Sequence, residues 1–181
     1  MIYDPELIEH IQSLPCERFD GQVFRTTGLK SDPTAFSTNG GRWAPPDGNN
    51  GGCSILYTSL ERNGALAEVA SYLSLLTPVP QKSLALHTLE VAPQKTLRLA
   101  IGDFSKLGID ASSYNKRNYE KTQLVGAVIN FLELDGLIAP SARWNCANLM
   151  IFGDNYPLDA KLRIVSTEEI SFEAWNTFGS D

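Results

Sequence analysis

Histidine is scarce in this sequence: His10 and His87 are the only two among 181 residues. His10 falls on an expected amino-terminal helix and His87 inside an expected strand, with no Cys or Asp motif beside either. Both read as structural or surface residues, and a His-centred acid–base pair or metal site has nothing else to draw on. Cysteine is scarce as well. Cys16, Cys53 and Cys146 are odd in number and widely spaced, with no C-x-x-C, which argues against a disulfide framework or a zinc site and fits a reducing, cytoplasmic compartment. No metal is expected.

Positive charge is in deficit: 15 Lys and Arg face 21 Asp and Glu, a formal charge of −6. That is the wrong sign for affinity built on neutralising phosphates along a nucleic acid, so no direct nucleic-acid partner is expected. Apolar runs are too short to span a bilayer. Residues 1–14 carry Asp4, Glu6 and Glu9 where a secretory signal needs positive charge. The glycine-rich 48–52 lacks the G-K-[ST] of a P-loop, and no G-x-G-x-x-G joins a strand to a helix, which removes the dinucleotide fold of dehydrogenases.

What is present is an ordinary globular balance, 43% hydrophobic and 20% charged, over a length that suits a single domain, 1–181. Such a chain buries a sizeable core without staples. Asp4 and Pro5 open a helix whose apolar stripe is Leu7, Ile8, Ile11 and Leu14. Residues 22–26 and 55–58 read as strands, separated by an irregular loop, 39–52, that cannot build a core and lies over a surface or a ligand. A helix over 62–76 buries Leu66, Val69, Ala70, Leu73 and Leu76 and ends before Pro78. Strands follow at 84–91 and 96–99, turning at 92–94. A helix over 119–134, capped by Asn118 and stopped by Gly136, carries Leu124, Val125, Val128, Ile129 and Leu132. Strands at 137–139, 149–152 and 162–165 and a weak helix at 172–175 complete the chain. Helices and strands mix without a βαβ rhythm, which predicts an α+β fold.

Four segments carry unusual local chemistry. Arg25 closes a strand in Phe24-Arg25-Thr26-Thr27-Gly28 and suits a surface ion pair as well as a ligand contact. In Asn39-Gly40-Gly41-Arg42-Trp43 the glycines let the backbone approach something closely, and the guanidinium matches a phosphate or carboxylate; a plain turn with a structural Trp is the alternative. Tyr57 lies in Ile55-Leu56-Tyr57-Thr58-Ser59. Glu68 follows on the next helix, away from the Leu66/Val69/Leu73 face and beside Gly64 and Ser71, which leave room for another element or a ligand; the alternative is a solvated glutamate. Ser141 follows Pro140 in Pro140-Ser141-Ala142-Arg143, leading to Asn145 and Asn148, and suits a simple turn equally.

Taken in order, the strand Arg, G-G-R-W, Y-x-S, A-L-A-E, the 119–126 approach Y-E-K-T-Q-L-V-G, P-S-A-R and the late N-L-M-I-F strand resemble the RES domain, a family named for its Arg, Glu and Ser. The resemblance covers residues 24–152, within a motif-bearing region of about 22–153. One departure is Ala44, where the family often has Asn. The resemblance implies an ADP-ribosyltransferase-like mixed sheet with flanking helices, and a bacterial toxin that cleaves the nicotinamide–ribose bond of NAD by hydrolysis or phosphorolysis. Its alternative is mono-ADP-ribosylation of a protein target. It further implies NAD as substrate, Arg25 and Arg42 on the pyrophosphate and adjoining ribose, Tyr57 at the nicotinamide end, Glu68 at the nicotinamide ribose, and Ser141 orienting the ligand or Glu68. The implied partner is an Xre-type helix-turn-helix antitoxin, and the oligomeric state, including a homodimer, stays open.

Overall fold

The computed structural model describes residues 3–49 and 51–179. Asp4 is extended and its carboxylate accepts the Glu6 N–H at 3.0 Å, Pro5 takes the first helical position, and α1 (Pro5–Ser13) turns Leu7, Ile8 and Ile11 into the core. There follow β1 (Cys16–Glu17), β2 (Gly21–Gly28), β3 (Ile55–Ser59), α2 (Arg62–Leu73), β4 (Leu84–Val91), β5 (Thr96–Arg98), α3 (Glu120–Phe131), β6 (Gly136–Pro140), β7 (Ala147–Phe152), β8 (Leu162–Ile170) and α4 (Phe172–Asn176). Short 3-10 helices at Ile101–Leu107 and Ala111–Ser113 lead into α3. The expected α+β class holds. No described helix is long and apolar enough to cross a membrane.

The strands form one mixed sheet in the order β1-β5-β6-β7-β3-β2-β4-β8, with β5–β6 its parallel pair. Strands β4 and β5 stand five places apart, yet only residues 92–95 join them. Five inter-strand steps of about 4.8 Å would require roughly 24 Å on a flat sheet, whereas the link from Val91 to Thr96 reaches at most about 17 Å. The sheet therefore curls until its two ends approach. Its concave face is filled by Val23, Leu56, Leu89, Val91, Ile138, Leu149 and Ile151 with Tyr156. The alternate residues Ile55, Leu137, Ala139, Met150 and Phe152 pack with α1 and α3, and Leu84 and Leu86 pack with Leu66, Ala70 and Leu73 of α2 and Trp175 of α4. Each Val, Leu, Ile, Met or Phe side chain so buried contributes about 1.5–3 kcal/mol.

Strand β2 pairs along its whole length with β4, and β3 along its whole length with β7, but β2 and β3 share only the Phe24–Ser59 register. Past that point they part. This split, roofed by α2, opens the cleft described below.

Several sequence expectations are corrected. Helix α2 ends at Leu73: the Leu75 and Leu76 N–H groups bond back to Tyr72 and Leu73, tightening the chain into a 3-10 turn well before Pro78. Leu75 and Leu76 are 59% and 42% exposed, so Leu76 is no part of the buried face. Helix α3 begins at Glu120 and buries Val125, Gly126, Ala127, Val128 and Ile129, because the neighbouring loop packs against the side that carries the small residues Gly126 and Ala127, while Leu124 is left 39% exposed. It finishes ahead of Glu133, whose φ of 57° is left-handed, while Gly136 begins β6 rather than stopping the helix. The irregular loop also builds core: Trp43 and Ala44 are 2% and 0% exposed. They are buried because Gly126 presents bare backbone to the Trp43 carbonyl, where a Cβ would come within 1.6 Å.

Candidate active site

The split between β2 and β3 is bridged by a side chain. Arg25 donates from Nη1 to the Tyr57 carbonyl at 2.9 Å, and its Nε finds no partner among the described residues. Burial lowers its pKa, with Asp32 opposing the effect. Where the strands separate, Phe24, Thr26, Tyr57, Asn148 and Met150 line a cleft of about 620 Å³.

The G-G-R-W loop forms one wall. Gly40 adopts a left-handed φ of 74°, and Gly41 lies against Tyr57 so closely that a Cβ would stand 2.6 Å from its hydroxyl. The close approach legible in the two glycines is thus to the chain itself, to Tyr57 at Gly41 and to Pro46 at Gly40. The Trp43 N–H donates to the Tyr57 hydroxyl at 3.1 Å, Gln123 donates to the Gly41 carbonyl at 2.9 Å, and burial raises the Tyr57 pKa. Arg42 stacks between the rings of Tyr114 and Tyr119, 4.6 and 4.7 Å from their centroids, and donates to the Tyr114 and Lys116 carbonyls at 2.5 and 3.3 Å. Burial lowers its pKa, and it raises that of Tyr114 to about 12.

Helix α2 forms the opposite wall and carries Glu68 into the cleft. The space beside Gly64 is taken by Ser59 Oγ and Cys146 Sγ, which a Cβ would meet at 2.3 and 2.5 Å. Ser71 receives Arg117 on its carbonyl and hydroxyl at 2.7 and 3.0 Å, tying the 114–119 segment to α2. Of the two occupants foreseen for that room, another element fills it, and Glu68 remains at the cavity. Ser141 Oγ and Asn148 Nδ2 each donate to Glu68 Oε1 at 2.8 Å. No described residue donates to Oε2. Ser141 keeps its turn role too, since its Oγ accepts the Arg143 and Trp144 N–H groups at 3.1 and 3.2 Å.

Arg25, Arg42, Tyr57 and Glu68 therefore line one cavity, and Ser141 stands behind Glu68. Asn148, Tyr114, Tyr119, Arg117 and Arg143 line it as well and had been given no role from sequence. The cleft gathers Arg25, Arg42, Arg117 and Arg143 around a single carboxylate, a local basic field in an acidic chain. An anionic ligand with a flat ring matches this arrangement. Ala44, a residue of the same loop, is buried and does not line the cavity. His87 is also buried, bridging Thr27 and Thr167 at 2.9 Å on each ring nitrogen, and burial and Arg25 lower its pKa. It does not border the cleft. Among the described residues no group of three or more His, Cys, Asp or Glu side chains is placed to hold a metal ion.

A family model of the RES domain matches residues 22–173, most of the chain. The chain belongs to the RES domain family. The match extends past the motif-bearing region read from sequence, through β8 and into α4. In fold the chain is similar to one in the crystal structure of the M. tuberculosis MbcT–MbcA toxin–antitoxin complex, with a TM-score of 0.82 over 97% of this chain and 98% of that one, at 18% identity. No curated protein matches the sequence.

Proposed function

We propose that this RES domain protein cleaves the nicotinamide–ribose bond of NAD and passes the ADP-ribosyl group to water or phosphate. The observation that carries the reading is Glu68, anchored through Oε1 and with no donor to Oε2 among the described residues, as the one carboxylate in a cleft whose lining includes four arginines and four tyrosines. Nicotinamide is a cation in NAD. As the C1′–N bond breaks, its electron pair neutralises the pyridinium ring, so no acid is needed for departure. Positive charge develops at the ribose carbon, and a fixed carboxylate beside it stabilises the transition state more than the ground state. Water or phosphate then bonds to C1′, and in hydrolysis the surplus proton passes to solvent. The arginines bind the pyrophosphate, and the tyrosines bind flat rings, fixing the sugar against Glu68. The same carboxylate logic operates in glycoside hydrolysis.

Purified protein incubated with NAD should release nicotinamide with a chelator present as well as without one. Activity that disappears with chelator and returns with zinc or magnesium overturns the metal-free mechanism. No release at all overturns the reading itself.

As a toxin the protein would be restrained by an antitoxin, in keeping with the toxin–antitoxin complex of its M. tuberculosis structural relative, and the RES resemblance makes an Xre-type helix-turn-helix protein the expected class. Expressed alone in a bacterial host, it should lower cellular NAD and arrest growth, and co-expression of its antitoxin should relieve both. Unchanged growth and NAD in cells holding well-folded protein would end the toxin reading.

A further inference from the structure

Asn148 opens the late N-L-M-I-F strand, and the sequence assigns it no role of its own. It lies on β7, opposite Ser59 of β3 and Ala139 of β6. Its Nδ2 donates to Glu68 Oε1 at 2.8 Å, while its Oδ1 is buried and has no partner among the described residues. The amide orientation follows from chemistry: turned over, Oδ1 would face a carboxylate oxygen at donor–acceptor distance, acceptor against acceptor. The bond to Glu68 is therefore kept while a buried acceptor goes unsatisfied, which costs stability. A residue chosen for packing alone at this place would be apolar or would satisfy both ends of its amide.

What the bond achieves is directional. Ser141 and Asn148 approach Glu68 from the β6–β7 hairpin and both end on Oε1. A carboxylate held by two donors on one oxygen has little freedom about its last torsion, and its other oxygen, Oε2, is left for the cleft. One donor alone would let the group rotate and exchange oxygens. We infer that Asn148 is a positioning residue: with Ser141 it pins one oxygen of Glu68 so that the other faces the reacting ribose carbon, at a cost to the stability of the fold. This rests on the NAD-cleaving reading of the cleft.

The test is a double-mutant cycle in the full chain, with NAD as the probe. Asn148→Ala should remain folded, with kcat lowered about tenfold or more and the NAD dissociation constant changed by less than about threefold, since the defect lies in orienting charge toward the transition state. In the Glu68→Gln background the same substitution should change kcat by less than about twofold, because a residue acting through Glu68 has nothing left to orient. Structural damage would lower kcat in both backgrounds. Should the alanine variant fail to fold, Asn148→Thr, of similar volume and suited to a strand, takes its place in the cycle. Wild-type kcat in the single variant overturns the inference, and so does an equal loss in both backgrounds. If the wild-type protein does not cleave NAD, the functional reading fails on its own. Crystal structures of the wild type and the variant then decide the positioning claim: an unmoved Glu68 carboxylate in Asn148→Ala overturns it, and a rotated one upholds it.

Discussion

Glu68→Gln should lower NAD turnover by about a hundredfold or more, a loss near 3 kcal/mol of transition-state stabilisation. The substitution is well matched to the site. Glutamine keeps an oxygen that still accepts from Ser141 and Asn148, which both reach Oε1, and it places its amide nitrogen where Oε2 was. Shape and anchoring persist, and only the charge facing the developing oxocarbenium is lost. Because that charge matters more in the transition state than in the ground state, the dissociation constant for NAD should change by less than about threefold. Arg42→Ala provides the contrast. It removes a guanidinium stacked between Tyr114 and Tyr119, together with its bonds to the Tyr114 and Lys116 carbonyls, so both a charge for the pyrophosphate and the order of one wall are lost. Its main effect should fall on binding. Initial rates and calorimetric dissociation constants for both variants separate the roles. Glu68→Gln turning over NAD at the wild-type rate while folded would make Glu68 a bystander.

Local signals in the sequence were reliable where the cause is local. The Asp4–Pro5 start of α1, the Tyr57 strand and the weak helix near Trp175 each follow from capping, alternation or spacing within a few residues. Glu68 stood out because Gly64 and Ser71 flank it on one face, and the structure fills the space beside them with Cys146 and Arg117. What stayed hidden has non-local causes. Asn148 reaches Glu68 across 80 positions, and nothing beside it in sequence announces the bond. Burial of Trp43 depends on Gly126, which periodicity alone marks as one more helical position. Residues 92–94 look like the turn between two neighbouring strands, yet they join strands five places apart in a curled sheet, because a period of two reports which face a residue takes and says nothing of strand order.

The largest stability effect should come from that hidden contact. Replacing a helical glycine by alanine ordinarily helps, by about 1 kcal/mol, because alanine restricts the unfolded chain and favours the helix. At Gly126 the added methyl would stand 1.6 Å from the Trp43 carbonyl oxygen and 2.7 Å from its carbon. These are backbone atoms, so no rotamer change relieves the clash. Either α3 shifts away from the sheet that Val125, Val128 and Ile129 cover, or residues 41–44 lift off and draw Trp43 out of the core. Either movement should cost at least about 3 kcal/mol, at the severe end of single substitutions. Gly126→Ala should therefore shift the denaturation midpoint far down or leave the chain unfolded. It should also weaken NAD binding in whatever folds, because Arg42 and the Tyr57–Trp43 bond travel with that loop. Gly102 supplies the control: a Cβ there meets nothing within 4 Å, so Gly102→Ala should stay within about 1 kcal/mol of wild type. Denaturant titrations of the two variants, followed by tryptophan fluorescence, make the comparison directly. A Gly126→Ala protein as stable as wild type would show that the loop is not seated on this glycine and that the wall of the cleft is held by other contacts.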